Sequence, residues 1–184
     1  IYYTFHFSKR KENIMNKKVS ELINTQINKE LYSGYLYLDM SNFFESKGLA
    51  GFANWYKVQA QEERDHAMLF YQYLQNNGEK VTLLAIDQPD KKYKTFMDPL
   101  KAALEHEKYV TSLIDNIYGE AVKAKDYRTM ELLQWFIKEQ GEEEKNANDL
   151  ISKMELFGGD ARALYMLDQE LAGRTYNTPS LVLD

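Results

Sequence analysis

Apolar residues recur at steps of three and four positions along four long stretches of the chain, which is the spacing of one face of an α-helix. In the first stretch Val19 and Ile23 lie on such a face, with polar residues between them. The stretches predict four long amphipathic helices, at about 17–45, 49–77, 95–124 and 126–157. Asp126 is a suitable N-cap for the fourth helix, and a Gly-Gly pair ends that helix. Asp160 can then cap a shorter, fifth helix that extends to about 172. The pattern therefore predicts an all-α protein.

The segment 78–94, between the second and third helices, is too long for a hairpin turn and contains Pro89. At a rise of ~1.5 Å per residue the second helix is about 43 Å long, whereas the extended segment can reach about 56 Å. The segment can therefore return along the whole bundle, so that the second and third helices run parallel. The predicted architecture is a four-helix bundle of two antiparallel hairpins, joined by one long crossover and followed by a short fifth helix.

One arrangement of polar side chains occurs in both predicted hairpins. A lone Glu on one helix is followed, on the next helix, by two side chains spaced i and i+3. The first hairpin has Glu30, Glu63 and His66, and the second has Glu107, Gln140 and Glu143, each seventy-seven positions later. Residues equally far from an antiparallel turn lie at similar heights. The spacing therefore predicts that all six side chains meet at one level, halfway along the bundle.

These residue types are suited to binding iron. A carboxylate with an imidazole suits Fe(II), and a site made of oxygen ligands suits Fe(III) as well. The first iron site is expected to comprise Glu30, Glu63 and His66. The second is expected to comprise Glu63 and Glu107, with Gln140 or Glu143 near it. Since Glu63 belongs to both sites, it is expected to bridge the two ions.

Single members of this set allow other interpretations. A Glu-x-x-His pair is commonly a surface pair, and the acidic run Glu142–Glu144 alone favours a solvated face. Glu30 and Glu107, however, lie within apolar stripes, where an unpaired acid is costly to bury. Tyr37 lies two turns after Glu30, so either a redox role or a core tyrosine bonded to a carboxylate fits it. His106 is expected to be an exposed neighbour of Glu107.

Composition narrows the possible functions. The net charge of −5 and the pI near 5.3 argue against a nucleic-acid partner and suit the capture of cations. The absence of cysteine excludes disulfides, a Cys zinc site and a rubredoxin-type iron centre. It is compatible with a reducing cytoplasm, which is the expected location. No apolar run approaches the roughly 20 residues of a membrane span.

The two ends of the chain differ from the part between them. Residues 1–15 contain an apolar, aromatic stretch followed by basic residues, which is the reverse of the order in a signal peptide. We expect Met15 to be the natural start and the leader before it to be non-native or disordered. A single domain is expected over 16–175, followed by a flexible tail over 176–184.

Over about 16–175 the chain resembles the bacterial non-haem ferritins. The resemblance is carried by three stretches of the sequence, Asn28–Ser33, Ala60–His66 and Leu133–Lys145. It implies a ferritin-like fold and a hollow shell of twenty-four subunits that oxidises Fe(II) with O2 or H2O2 and stores ferric oxyhydroxide inside. It also implies that the fifth helix lines the fourfold axis of that shell.

The resemblance also assigns roles to individual residues. It implies a first ferroxidase iron site at Glu30, Glu63 and His66. It implies a second site at Glu63, Glu107 and Gln140, with Glu143 close by. A possible third iron is assigned to Glu62, Glu139, Glu142 and Glu143. Tyr37 matches the redox tyrosine of the family, and Glu63 is the bridging ligand on which catalysis depends.

Related families fit less well. Bacterioferritin would have a haem-ligating Met directly after the bridging Glu, where this chain has Arg64, and Glu-x-x-His on the fourth helix, where this chain has Gln140-x-x-Glu143. Haem is therefore not expected. Mini-ferritins that protect DNA lack the fifth helix. Two alternatives remain, a passive storage shell without fast ferroxidase activity and a di-iron oxidase or peroxidase of the rubrerythrin type, whose usual electron-transfer module needs cysteine.

Overall fold

Five α-helices make up the computed structural model, which describes residues 15–183. They are α1 (Lys17–Ser46), α2 (Ala50–Asn76), α3 (Met97–Ala124), α4 (Tyr127–Phe157) and α5 (Ala161–Ala172). The prediction of four long helices and a short fifth is confirmed, and the helix ends agree to within about two residues. Residues 1–14, most of the predicted leader, lie outside the described range, whereas Met15 is buried against the bundle.

The two predicted aspartate caps fix the starts of α4 and α5. Asp126 accepts a hydrogen bond from the backbone N–H of Thr129 at 3.1 Å, and Asp160 accepts one from the N–H of Ala163 at 2.7 Å. Each cap satisfies a backbone donor that has no partner inside its helix. Between α3 and α4, Lys125 takes the left-handed conformation with a φ of 54°, which reverses the chain within a short turn.

The segment between α2 and α3 follows α1 along its length. Near the start of α1, the Asn24 side chain donates to the Thr82 carbonyl at 2.9 Å and accepts from the Thr82 N–H at 2.8 Å. Near the end of α1, the rings of Phe43 and Tyr93 lie 5.4 Å apart. The chain therefore crosses from one end of the bundle to the other before α3 begins. The predicted long crossover is confirmed, and α3 runs parallel to α2.

The apolar core consists of two clusters at opposite ends of the bundle. One cluster packs the start of α1 and the start of α4 against the ends of α2 and α3. The other packs the end of α1 and the end of α4 against the starts of α2 and α3, and is closed by α5. Between the clusters lies a belt of buried polar side chains. None of the described helices is both long enough and apolar enough to span a membrane.

The segment after α5 lies along the bundle, where the sequence predicts a flexible tail. We call residues 174–183 the C-terminal strap. Trp135 of α4 donates through Nε1 to Ser180 Oγ at 2.9 Å, and Gln72 of α2 donates to the Leu183 carbonyl at 3.1 Å. Leu181 packs on the first core cluster. The sequence of this segment has no helical or strand periodicity, so no pattern in it predicts these contacts.

Candidate metal centre

The polar belt contains the six side chains that the sequence places at one level. They are Glu30 from α1, Glu63 and His66 from α2, Glu107 from α3, and Gln140 and Glu143 from α4. None of the six is more than 6% exposed, and apolar clusters close the bundle on both sides of them. Equal distance from the two hairpin turns therefore placed these residues correctly.

Three of these side chains form a compact group of possible metal ligands. One ligand atom each from Glu30, Glu63 and His66 lies within 4.8 Å of the others. Gln26 donates to Glu30 Oε1 at 2.8 Å, but Glu30 Oε2 is buried and accepts no hydrogen bond from any described residue. Because a buried acceptor without a donor is costly, a cation at this position would stabilise the group. The donor set, two carboxylates and one imidazole, fits a divalent transition metal.

The α3–α4 half of the belt is held by hydrogen bonds, one between its own members and others from α1 and α2. Glu107 accepts from the hydroxyl of Tyr37 and, at 3.0 Å, from Gln140 Nε2. Glu143 accepts from Gln59 Nε2 of α2 at 2.7 Å. Among the described residues, Glu63, Glu107 and Glu143 do not form a second group in which three ligand atoms all lie within 4.8 Å of one another. The carboxylate oxygens of this half are therefore less closely gathered than the first group, and a second cation could draw them together.

Burial makes the four carboxyl groups of the belt poor acids. It raises the pKa of Glu30, Glu63, Glu107 and Glu143 above the ordinary value of a glutamate. The negative charge of Glu107 further raises the pKa of Glu63 and Glu143, and the charge of Glu63 does so for Glu30. Without a metal, the belt therefore retains protons at a pH where exposed acids are ionised. A divalent cation would release those protons and replace them as the compensating charge.

Tyr37 lies inside the belt rather than beside it. Its side chain is 1% exposed, its hydroxyl donates to Glu107, and its ring stacks on Tyr56 with 5.7 Å between centroids. Burial raises the pKa of the Tyr37 hydroxyl, and the negative charge of Glu107 raises it further. The hydroxyl is therefore protonated at neutral pH and in direct contact with a possible ligand of the second ion. The structure shows the bond to a carboxylate that one of the two sequence interpretations expects, and a redox role for Tyr37 stays a prediction.

Comparison with known proteins identifies the family. Residues 20–157 match the family described as "Ferritin-like domain". The chain belongs to the ferritin family. A probable bacterial non-heme ferritin-like protein of Haemophilus influenzae is 35% identical over 158 residues, which cover 86% of this chain and 96% of that protein. A bacterial non-heme ferritin of Campylobacter jejuni is 35% identical over 156 residues, 85% of this chain and 93% of that protein.

Solved ferritin structures share the fold. An open pore ferritin from the hyperthermophilic archaeon Archaeoglobus fulgidus gives a TM-score of 0.85 at 42% identity, covering 88% of this chain and 99% of that chain. A closed form of the same ferritin, engineered by mutagenesis, gives a TM-score of 0.86 at 41% identity, covering 89% and 99%. The predicted resemblance and the predicted ferritin-like bundle, with its crossover and short fifth helix, are confirmed.

The four residues that the ferritin resemblance assigns to a third iron do not form a compact group like that of Glu30, Glu63 and His66. Glu62 is half-buried and forms an ion pair with Arg174 Nη2 at 2.5 Å. Glu139 is half-buried, and burial raises the pKa of its carboxyl. Glu142 is exposed. Only Glu143, the fourth member of this set, belongs to the buried belt.

Three polar residues that contact the centre or its ligands were not predicted from the sequence. Gln26 and Gln59 bond to Glu30 and Glu143, and Arg174 reaches the centre from the C-terminal strap. Gln26 and Gln59 each lie four residues before a belt glutamate of their own helix, so they share its face. That spacing could have predicted them. Nothing in the sequence around Arg174 indicates that the chain returns to the centre after α5.

The expectation that His106 is an exposed neighbour of Glu107 is wrong. His106 is half-buried rather than exposed, its Nε2 lies 2.7 Å from Ser33 Oγ, and its ring meets that of Tyr37 at 6.1 Å between centroids. Burial lowers the pKa of His106 to about 4, and the positive charges of Lys29 and Lys91 act in the same direction. His106 is therefore a neutral packing residue between α1 and α3.

Proposed function

We propose that this chain is an iron-storage ferritin that oxidises Fe(II) at a di-iron centre within each subunit and deposits Fe(III) as oxyhydroxide inside a hollow shell of its own copies. The observation that carries the proposal is the belt of four buried carboxylates and one histidine. Their described hydrogen-bond partners are Gln and Tyr side chains, and His66 Nδ1 lies 3.6 Å from Glu63 Oε2, so none of these neighbours carries a permanent positive charge. A site of this kind is costly when empty and is stabilised by cations.

Each ligand has a distinct role in the proposal. The first Fe(II) is bound by Glu30, Glu63 and His66. The second is bound by Glu63 and Glu107, with Gln140 and Glu143 close to it. Gln140 turns its Nε2 towards Glu107, so its Oε1 is the atom left for a metal or a bound water. Glu63, in the centre, bridges the two ions.

The reaction transfers two electrons. Each Fe(II) gives one electron to the oxidant, either O2 or H2O2, which accepts both. The ions change from a charge of +2 to +3, and the buried carboxylates stabilise the added charge because little water screens it. Their protons leave as the metal binds, and Tyr37, hydrogen-bonded to Glu107, retains its own. Fe(III) then moves to the mineral, which frees the centre for another pair of Fe(II) ions.

The wider setting is part of the same proposal. A homo-oligomer of twenty-four subunits encloses the mineral, and the cytoplasm supplies Fe(II). Nucleic acid, membrane and haem have no part in it. The acidic net charge of −5 per chain supports the capture of Fe(II) by the assembled surface.

Rapid mixing tests this function. The purified protein is loaded anaerobically with two Fe(II) per chain and mixed with oxygenated buffer, and the rise of diferric absorbance is followed. Wild type is expected to oxidise Fe(II) far faster than buffer does, and Glu63→Ala is expected to lose at least tenfold of that rate. Glu105→Ala removes an exposed acid from α3 and serves as the matched control, with an unchanged rate.

Two results would contradict the proposal. Oxidation no faster in wild type than in buffer would indicate a passive storage shell. Fast turnover of peroxide that leaves no iron retained with the protein would indicate an oxidase or peroxidase of the rubrerythrin type.

A further inference from the structure

The C-terminal strap places one cation beside the metal centre. Arg174, its first residue, donates to Glu62 Oε2 at 2.5 Å, to Gln59 Oε1 at 2.8 Å and to the Trp55 carbonyl at 3.2 Å. Its guanidinium also lies over the indole ring of Trp55, 4.1 Å from the ring centroid. The three residues that hold it are all on α2. The charge is therefore held from several directions, unlike an ordinary surface ion pair.

Arg174 also fixes the orientation of a residue that contacts the buried belt. A guanidinium can only donate hydrogen bonds, so the Gln59 amide must present its oxygen to Arg174. The Gln59 nitrogen consequently points to Glu143, to which it donates at 2.7 Å. Through this one amide, Arg174 is connected to Glu143 as well as paired with Glu62. These are two of the four glutamates that the ferritin resemblance assigns to a third iron.

The backbone around Arg174 is held in place by other contacts. Asn54 of α2 donates to the Arg174 carbonyl at 3.0 Å, and the Tyr176 hydroxyl donates to Asp65. The side chains of Arg174 and Glu62 are 16% and 18% exposed. Since the strap is anchored at the Arg174 backbone and again two residues later, these contacts also hold the guanidinium beside Glu62, in addition to the attraction between the two charges.

We propose that Arg174 is a tethered cation that takes the place of the third iron, so that each subunit binds two ions instead of three. The guanidinium neutralises Glu62, and it turns the oxygen of Gln59 away from Glu143. Both effects remove oxygen ligands from a third ion. The remaining members of that set are then Glu139 and exposed Glu142, on a partly solvated surface, and buried Glu143, which accepts the hydrogen bond from Gln59. This inference rests on the proposed ferritin function, because it concerns metal ions bound beside the same centre.

Metal stoichiometry tests the inference without relying on catalysis. Metal-free protein is titrated anaerobically with Fe(II), and the bound ions per chain are counted by calorimetry and by equilibrium dialysis. Wild type is expected to bind two. Arg174→Ala is expected to bind three, because Glu62 and the Gln59 oxygen become available. Arg174→Lys keeps the positive charge and is expected to bind two.

Further variants separate the role of Arg174 from a general loosening of the strap. Tyr176→Phe removes the bond to Asp65 but leaves Arg174 in place, so it is expected to bind two ions. Glu62→Gln in the Arg174→Ala background removes the ligand that Arg174 had neutralised. That double variant is expected to return from three ions to two.

The possible outcomes distinguish this inference from the function beneath it. Three ions in wild type, or two in Arg174→Ala, would overturn the role of Arg174 and leave the di-iron centre standing. Absence of tight binding in wild type would overturn both. If Arg174→Ala does not fold, wild-type crystals soaked anaerobically in Fe(II) decide the question. An ion beside Glu62 with Arg174 displaced would contradict the inference, and Arg174 in place beside two ions would support it.

Discussion

At the scale of single residues, the centre opposes folding when it is empty. A glutamate in the unfolded chain titrates near 4.5, and burial raises the pKa of Glu30, Glu63, Glu107 and Glu143 above that value in the folded state. The folded protein therefore binds more protons than the unfolded chain once the pH exceeds about 4.5. As the pH rises further, ionising the buried carboxyl groups costs free energy in the folded state, whereas the same groups ionise without that cost in the unfolded chain.

The first prediction is a dependence of stability on pH. The free energy of unfolding of the metal-free protein is expected to fall as the pH rises above 4.5, the ordinary pKa of a glutamate, since the native state then binds more protons than the unfolded chain. Urea denaturation at a series of pH values measures it. Saturating Zn(II) should remove most of this decrease, because the metal replaces the protons. A stability that rises over the same pH range without metal would contradict the account.

The second prediction concerns Glu63 alone. Glu63→Gln removes the charge at the most crowded position but keeps the size of the side chain. The metal-free variant is expected to be more stable than wild type at pH 7, by about 1–3 kcal/mol, since glutamine has no buried carboxyl that must either stay protonated or ionise without a counter-charge. Its stabilisation by Zn(II) should shrink. Glu105→Gln, on an exposed part of α3, serves as the control and is expected to leave both quantities unchanged.

At the scale of helices and loops, the crossover is attached to α1 by side-chain hydrogen bonds. Asn24 makes two bonds to the backbone of Thr82, and Asn28 donates to the Ala85 carbonyl at 2.9 Å. Since no helix or strand fixes this segment, such bonds set its path. The path in turn sets the direction of α3, and hence the height at which Glu107 enters the centre.

The third prediction follows from these bonds. Asn24→Ala is expected to lower the free energy of unfolding by about 1–3 kcal/mol, because two hydrogen bonds are lost. It should also speed hydrogen exchange at the Thr82 amide, measured by mass spectrometry. Asn42→Ala, an exposed asparagine on the same helix, is the matched control with neither effect. Unchanged exchange at Thr82 would show that other contacts hold the crossover.

Regular elements were predictable from the sequence, and irregular ones were not. Periodic apolar residues and the caps Asp126 and Asp160 located all five helices, and the length of the crossover gave the order of the bundle. The matched spacing then placed six polar side chains at one level. The position of Arg174 depends on a strap with no periodicity, held by single contacts to side chains far away in the sequence. The prediction that His106 is exposed was wrong for a related reason. Its burial depends on aromatic rings of a neighbouring helix, which are far from it in the sequence.

At the scale of the whole molecule, the surface of the subunit favours assembly. The crossover exposes Leu83 at 69% and Leu84 at 48%, and α1 exposes Leu38 at 50%. Exposed apolar side chains of this size, when grouped, commonly mark protein–protein contacts. They support the proposed oligomer of identical subunits.

The fourth prediction tests that surface. Leu83→Asp combined with Leu84→Asp is expected to shift the protein from a large assembly towards small species, because buried charge at an interface costs binding free energy. Analytical ultracentrifugation should show wild type near twenty-four times the subunit mass of 21.6 kDa. Lys80→Asp, at an exposed position of the same segment, is expected to leave the assembly intact. An unchanged mass in the double variant would place the interface elsewhere.

If two iron ions are bound side by side within one chain, Mössbauer spectroscopy can detect them as a magnetically coupled pair. Metal-free protein is loaded anaerobically with two ⁵⁷Fe(II) per chain, exposed to oxygen and frozen within the first turnover. Wild type is expected to show a spin-coupled diferric pair, and Glu63→Ala is expected to lose it. Isolated Fe(III) ions, or mineral alone, in wild type would contradict the account.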